Sequence, residues 1–263
     1  MNITISGSDT AIYYEITGKG YPLVLLHGQY MNTTMFDSFE RDFRDDFQLI
    51  KIDLRGHGYS DKPLHINMED YITDVMAVMN ELYIRQANFI GYGLGGMVAQ
   101  AIAIRYPELI QRLILISVGN EPFNDSQERF RMEFANLLRT MKPDDRTKLL
   151  SRYMYHDLKK VNRWMKGLKD TEESMTNLER KAVDHSTDGV DLLSQSDLIS
   201  APTMIVSGAH DHLIQPDHGK TLSEKITNSS YMLFENSGHA PMIEERDRFV
   251  NDVKMFLSPS MDI

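Results

Sequence analysis

Short, continuous apolar runs alternate along this chain with segments of helical periodicity, and this alternation restricts the possible folds more than any other feature. The clearest runs lie at residues 23–26, 49–52, 89–90, 113–116 and 203–206. Runs of this kind are typical of central strands that are buried on both faces of a parallel sheet. The sequence therefore predicts an α/β fold in which a mostly parallel sheet is flanked by helices.

The two ends of the chain extend this pattern in different ways. Near the N-terminus, Ile3 and Ile5 and then residues 12–16 alternate with polar residues, and residues 7–9 supply a turn. A period of two with a turn between the runs predicts an antiparallel hairpin at a sheet edge. Residues 231–234 are predicted to continue the sheet, and a helix is predicted to follow near the C-terminus.

One long stretch breaks the alternation. Residues 122–198 contain no strand-like run, but they contain several helical stretches rich in charge and methionine and the only tryptophan, Trp164. We predict a core domain formed by residues 1–121 and 199–263, with residues 122–198 inserted as a helical cap. Trp164 and some of the methionines are expected to form part of the apolar wall of a pocket between cap and core, because methionine fills irregular pockets with little strain.

Composition excludes several function classes. The 263 residues include 28 Lys and Arg against 38 Asp and Glu, a net charge of −10, which argues against nucleic-acid and anionic-membrane partners. Because the chain has no cysteine, it has no disulfide, thiolate metal site or cysteine nucleophile. No apolar run reaches the roughly 20 residues of a membrane span, and the N-terminus lacks the features of a secretory signal. We expect a cytoplasmic protein; its oligomeric state is not indicated.

A glycine-rich turn at residues 89–96 joins a short apolar strand to a helix. Gly91, Gly93 and Gly96 satisfy the G-x-G-x-x-G pattern of dinucleotide loops. That interpretation requires an acidic residue at the end of the next strand, and residues 117–120 supply none. The same turn matches the nucleophile elbow G-x-S-x-G in every respect except that Gly93 occupies the serine position.

Three other strand ends carry residues that fit an elbow. His27-Gly28-Gln29 follows the run at 23–26, Asp211 follows the run at 203–206, and His239 follows the run at 231–234. The chain order is therefore nucleophile position, aspartate and histidine. A single loop histidine is more often structural than catalytic, and the chain has nine histidines. His239 is distinguished by its order, its strand end and the Ala-Pro that follows it.

On these motifs the chain resembles the α/β-hydrolase family over nearly its whole length. It is similar to the group that contains cofactor-free haloperoxidases, enol-lactonases, small carboxylesterases and epoxide hydrolases. The resemblance implies that Gly93 marks the nucleophile position, that His239 is the general base and then acid, and that Asp211 orients it. It also implies an oxyanion hole formed by the backbone N–H groups of Gln29 and Leu94. No metal, flavin or nicotinamide is implied.

The implied activity is hydrolysis of a small, largely apolar carboxylic ester or lactone through an acyl-enzyme, with Tyr30 and Trp164 as candidate substrate contacts. A ligand-binding or sensor protein, and a cofactor-free lyase or perhydrolase, remain alternatives because one fold serves many functions. Haloalkane dehalogenase and epoxide hydrolase activities are disfavoured, since the resemblance would then require an aspartate at position 93.

Gly93 has no side-chain atom that can attack a carbonyl. Loss of the serine of a subtilisin-type triad lowers kcat by a factor on the order of 10⁶. The rate enhancement that remains is about 10³- to 10⁴-fold over the uncatalysed reaction in water. We therefore predict a folded but nearly inactive serine hydrolase. Two explanations stay open: an engineered Ser→Gly replacement, which the otherwise complete triad favours, and a natural chain in which His239 acts on water or on a bound substrate. If Asp211 is not the triad acid, Glu121 is the first rival.

Overall fold

A computed structural model describes residues 2–4, 10–119, 123–168 and 175–258 of the chain. Its centre is an eight-stranded sheet with the strand order β1-β2-β4-β3-β5-β6-β7-β8. In chain order the strands are β1 (Asn2–Thr4), β2 (Ala11–Gly18), β3 (Tyr21–Leu26), β4 (Phe47–Ile52), β5 (Ala87–Tyr92), β6 (Ile110–Ile116), β7 (Thr203–Gly208) and β8 (Ser229–Phe234). The β1–β2 and β2–β4 pairings are antiparallel and the others are parallel, which confirms the predicted mostly parallel sheet.

The antiparallel edge lies where the period-two pattern predicts it. β1 pairs with β2 in a register that places Ile3 opposite Ile12. Ile5 and the predicted turn at residues 7–9 lie outside the described residues.

Helices cover both faces of the sheet. They are α1 (Asp37–Phe43), α2 (Met68–Glu81), α3 (Leu94–Arg105), α4 (Phe123–Glu133), α5 (Ala135–Leu138), α6 (Pro143–Met154), α7 (Leu158–Met165), α8 (Asn177–Asp184), α9 (Pro216–Lys225), α10 (Pro241–Glu244) and α11 (Arg246–Leu257). α2 begins at a capping box in which Asn67 and Asp70 satisfy each other's backbone N–H groups. None of the helices in the described ranges combines the length and apolarity that crossing a bilayer requires.

The central strands bury both of their faces, which explains their continuous apolar sequences. In β3, Val24 and Leu26 belong to the hydrophobic layer that contains residues of α2 and α3. Leu23 and Leu25 belong to the opposite layer, which contains residues of α1 and α11. Successive side chains of a strand point to opposite faces, so a strand between two layers has no polar side.

The described residues between β6 and β7 form helices, turns and irregular structure, and we call residues 123–198 the helical segment. Phe130 of α4 and Phe134, which precedes α5, join the layer of α2 and α3, whereas Val161 of α7 joins the layer of α1 and α11. The division of the chain into a core and a cap domain stays a prediction.

Candidate active site

Gly93 is a one-residue turn between β5 and α3. Its backbone has φ +51° and ψ −115°, a conformation that is costly for a residue with a Cβ atom. Gly93 N donates to Ile116 O at 3.0 Å, and Met97 N donates to Gly93 O at 3.0 Å. At Gly91, a Cβ atom would lie 2.5 Å from the Cα of Gly96, so the close approach of strand and helix requires glycine there.

The space around Gly93 is open on its side-chain face. Among the described residues other than its chain neighbours Tyr92 and Leu94, a Cβ atom built on Gly93 would have one heavy-atom neighbour within 4 Å, the Cα of Gly28 at 3.9 Å. A side chain at position 93 is therefore opposed by the backbone conformation and not by a collision. We infer that serine fits here with local strain of the order of 1–3 kcal/mol.

His239 and Asp211 form a buried hydrogen-bonded pair. The distance from His239 Nδ1 to Asp211 Oδ2 is 2.7 Å, and the side chains are 5% and 1% exposed. The other carboxylate oxygen, Asp211 Oδ1, accepts the N–H groups of Leu213 at 2.9 Å and Ile214 at 3.0 Å. Asp211 follows β7 and His239 follows β8, and α9 is the crossover that brings both loops to the carboxyl edge of the sheet.

The loop that carries His239 is held by its neighbours. His239 N donates to Met154 O at 2.6 Å, and Ser117 Oγ donates to His239 O at 3.0 Å. The ring of Tyr92 lies against the imidazole, with 5.2 Å between the ring centroids. These contacts fix the imidazole with its Nδ1 towards Asp211.

Glu244 is a buried carboxylate that joins this loop to the helical segment. Its Oε2 accepts the N–H groups of His156 and Asp157, both at 2.7 Å. Its Oε1 accepts the N–H groups of Gly238 at 2.9 Å and Ala240 at 3.3 Å. One side chain therefore satisfies four backbone donors, two from each stretch of chain.

His27 anchors the loop that carries the predicted oxyanion donor. Its Nε2 accepts the N–H of Leu54 at 2.9 Å, so Nδ1 carries the proton and donates to Gly28 O at 2.8 Å. Burial lowers the pKa of His27 to about 4, so the ring is neutral. Among the described residues, no partner was found for the backbone N–H of Gln29 or of Leu94.

A second neutral imidazole lies beside His27. His57 Nδ1 donates to Arg55 O at 3.0 Å, and the His27 and His57 ring centroids are 5.0 Å apart. Burial, reinforced by repulsion from His27, lowers the pKa of His57 to about 3. Both rings support the oxyanion loop as uncharged groups.

Asp184 of α8 holds the same loop from the helical segment. Its Oδ1 accepts a hydrogen bond from Gln29 Nε2 at 3.0 Å and another from Tyr30 Oη at 2.5 Å. Tyr30 has a positive φ of 59°, and the guanidinium of Arg180 lies 5.8 Å from the centre of its ring. Burial and the bond to Asp184 raise the pKa of Tyr30 well above its usual range.

One pocket of about 400 Å³ brings Gly93, His239, Gln29 and Tyr30 together. Its remaining lining residues are Gly28, Met31, Tyr92, Phe130, Arg131, Leu150, Ser151, Met154, Tyr155 and Leu213. Much of the wall is apolar and comes from the helical segment.

Trp164 does not line this pocket, which corrects the expectation that it contacts substrate. Its ring packs against the hydrophobic layer of α1 and α11, and its Nε1 is 3.4 Å from Met35 O. The rival acid Glu121 lies outside the described residues. Within those residues, no group of three or more His, Asp or Glu side chains comes together as a metal site.

A family model for the alpha/beta hydrolase fold matches residues 21–246. The chain belongs to the α/β-hydrolase family. Among curated relatives of this hydrolase fold, a pimeloyl-[acyl-carrier protein] methyl ester esterase of Aliivibrio fischeri is 24% identical, covering 95% of this chain and 98% of the relative. An uncharacterised protein of Mycobacterium tuberculosis is 28% identical, covering 93% of this chain and 77% of the relative.

Solved structures of α/β-hydrolases have the same fold. The enol-lactonase from Burkholderia xenovorans superimposes with a TM-score of 0.81 at 22% identity, covering 98% of this chain and 100% of that chain. An esterase from Exiguobacterium antarcticum superimposes with a TM-score of 0.82 at 21% identity, covering 98% and 99% of the two chains. These likenesses show the hydrolase fold, and esterases are among the relatives.

Two residues of this hydrolase site were missed by sequence analysis. Glu244 had a weak signal, because it is a charged residue that ends the apolar stretch following His239. Asp184 had no signal, since it is one of many charged residues in the helical segment and its partner Gln29 is 155 positions away.

Proposed function

We propose that this site is built to hydrolyse small, largely apolar carboxylic esters or lactones, and that Gly93 occupies the place of the nucleophile. The observation that carries this proposal is the buried His239–Asp211 pair, which lies in one pocket with the elbow at Gly93. A histidine oriented by a carboxylate at an elbow is the arrangement that activates a hydroxyl for attack on a carbonyl.

With serine at position 93, the chemistry follows the acyl-enzyme route. The serine Oγ attacks the carbonyl carbon while His239 Nε2 takes its proton, and Asp211 stabilises the imidazolium that forms. The backbone N–H groups of Gln29 and Leu94 would donate hydrogen bonds to the oxyanion. His239 then protonates the departing alcohol, and water activated by the same imidazole releases the acid. The scheme uses neither a metal nor an organic cofactor.

The pocket walls support an apolar substrate. Phe130, Leu150 and Met154 of the helical segment face the same space as His239. A volume of about 400 Å³ suits a small molecule. We propose that the helical segment acts as a cap that selects the substrate, and the esterase and enol-lactonase names of relatives support this substrate class.

Gly93→Ser, with Gly93→Ala as its matched control, tests the proposal. Both variants add a Cβ atom to the same strained backbone, and only serine adds a hydroxyl. We expect the serine variant to react with a fluorophosphonate probe and to cleave p-nitrophenyl esters of short chain length, with a kcat up to about 10⁶-fold above that of the alanine variant. A folded serine variant that neither labels nor cleaves any ester of the series contradicts the proposal.

Gly93 itself favours a second candidate, a protein that binds an ester without turning it over. This candidate predicts that a non-hydrolysable ether analogue binds equally to the chain and to a Gly93→Ser variant that has no turnover. The codon for residue 93 in the natural gene tells whether the glycine is natural or engineered, because a serine codon there would identify Gly93 as an engineered replacement.

A further inference from the structure

We propose that the chain, with Gly93 in place, hydrolyses its ester or lactone by direct attack of a water molecule that His239 activates, without an acyl-enzyme. This inference rests on the proposed function for the substrate class. It adds a different nucleophile and a different kinetic course.

The first support is the space at the elbow. Apart from the adjoining residues of the chain, a Cβ atom on Gly93 would have its nearest described neighbour, the Cα of Gly28, 3.9 Å away, so the position that a side chain would occupy is open to the pocket. A water molecule needs a volume of about 30 Å³ and two to four polar partners. The imidazole of His239, which lines the same pocket, supplies an acceptor.

The second support is that the base remains fully organised although the hydroxyl it would serve is missing. His239 Nδ1 and Asp211 Oδ2 are 2.7 Å apart, and Asp211 Oδ1 accepts two backbone N–H groups. When Nδ1 carries the proton towards Asp211, Nε2 is the basic nitrogen. Burial of a polar or charged group carries a desolvation penalty, which a site that only binds an apolar ligand has no need to bear.

The reaction step balances without a co-reactant other than water. The water oxygen forms a bond to the carbonyl carbon while one of its protons passes to His239 Nε2. The carbonyl electron pair moves onto its oxygen, which accepts hydrogen bonds from the backbone N–H groups of Gln29 and Leu94. Collapse of this intermediate breaks the bond to the alcohol oxygen, and that oxygen takes the proton from Nε2. An ester yields an acid and an alcohol, and a lactone yields a hydroxy acid.

General base catalysis typically contributes about 10² to 10⁴ in rate. His239→Gln removes the base and is expected to lower kcat/KM by at least about 100-fold. Gly93→Ala places a methyl group where the water would stand and is expected to cause a comparable loss. His65→Gln is the matched control, because His65 is exposed and lies outside this pocket.

The experiment measures hydrolysis of p-nitrophenyl butyrate by the purified full chain, by the three variants and by Gly93→Ser, each first shown to be folded by circular dichroism. We expect the chain itself to release p-nitrophenol linearly, with no burst and no labelling by fluorophosphonate. Gly93→Ser should instead show a burst of one equivalent and should label, because its route passes through a covalent intermediate. His65→Gln should match the parent chain.

The outcomes separate this inference from the proposed function. If Gly93→Ser is active while the parent chain is no faster than His239→Gln, the water route is overturned and the proposed function stands. If the parent chain is active and Gly93→Ala retains that activity, the attacking water does not stand at the elbow and the inference is also overturned. If the parent chain and folded Gly93→Ser are both inactive on the whole ester series, the proposed function fails as well.

Discussion

Acidification from pH 7 to pH 5 is expected to destabilise this protein through His27 and His57. Burial lowers their pKa values to about 4 and about 3, against about 6.5 for an exposed histidine. The unfolded chain therefore binds protons at these two groups in a pH range in which the folded chain does not. The stability they provide is complete above pH 6.5 and is lost as the pH falls from there towards the folded pKa values.

The size of the effect follows from these values. A difference of one bound proton changes the free energy of unfolding by about 1.4 kcal/mol per pH unit. Between pH 6.5 and pH 5, each histidine removes about 2 kcal/mol, and the pair removes about 4 kcal/mol as an upper limit. For His27 the loss has a structural counterpart, because a protonated Nε2 cannot accept the N–H of Leu54. The free energy of unfolding of a typical domain is about 5–15 kcal/mol in total, so the effect is large.

Urea unfolding at pH 7, 6 and 5 measures this dependence for the parent chain, His57→Asn and the exposed control His65→Gln. The readout is the slope of the unfolding free energy with pH, since His57→Asn also changes stability at neutral pH. Carboxylates other than Asp53, whose pKa His57 influences, contribute equally to all three slopes. We expect His57→Asn to lose about half of the histidine contribution, and a slope equal to that of the parent chain would refute the assignment of His57 as a neutral buried ring.

Three further changes test the positions described above. In the Gly93→Ser background, Asp211→Asn should lower kcat by about 10⁴ through the wrong histidine tautomer, and activity within tenfold of the serine variant would show that another group orients the imidazole. Glu244→Gln should lower the free energy of unfolding in urea by about 2 kcal/mol or more, because an amide NH₂ cannot accept the N–H groups that a carboxylate oxygen accepts; an unchanged midpoint would count against this. Asp184→Ala should lower kcat/KM of the serine variant about 10-fold or more by releasing Tyr30 and the oxyanion loop, at a cost of about 1–3 kcal/mol per lost charged hydrogen bond, and an unaffected kcat/KM would assign Asp184 a purely structural role.

The order of the strands along the chain could be predicted because the central strands lie between two hydrophobic layers. Their sequences, such as residues 23–26 and 113–116, therefore contain little except apolar side chains. The approximate places of Gly93, Asp211 and His239 followed from the rule that loops at the carboxyl ends of parallel strands meet at one edge.

Contacts made by the helical segment could not be predicted in the same way. An amphipathic helix shows which residues are apolar, but its spacing does not tell which of two apolar surfaces it will meet. Trp164 illustrates this, since its ring packs on the layer of α1 and α11 and not on the pocket. The bond from Gln29 to Asp184 joins residues 155 positions apart, and no local pattern encodes such a distance.

The carboxylate of Glu244 has a consequence for protein engineering. Because it binds the backbone of His156 and Asp157 as well as that of Gly238 and Ala240, a foreign segment grafted between β6 and β7 must reproduce the main-chain path at 156–157. In a chimera that shifts this stretch by one residue, the backbone N–H groups at 156–157 would no longer be placed to donate to the Glu244 carboxylate. The loop that carries His239 would then lose part of its support. A single crossover in a recombination library therefore belongs upstream of His156 or downstream of Glu244, so that the stretch that Glu244 binds is inherited together with the loop it supports.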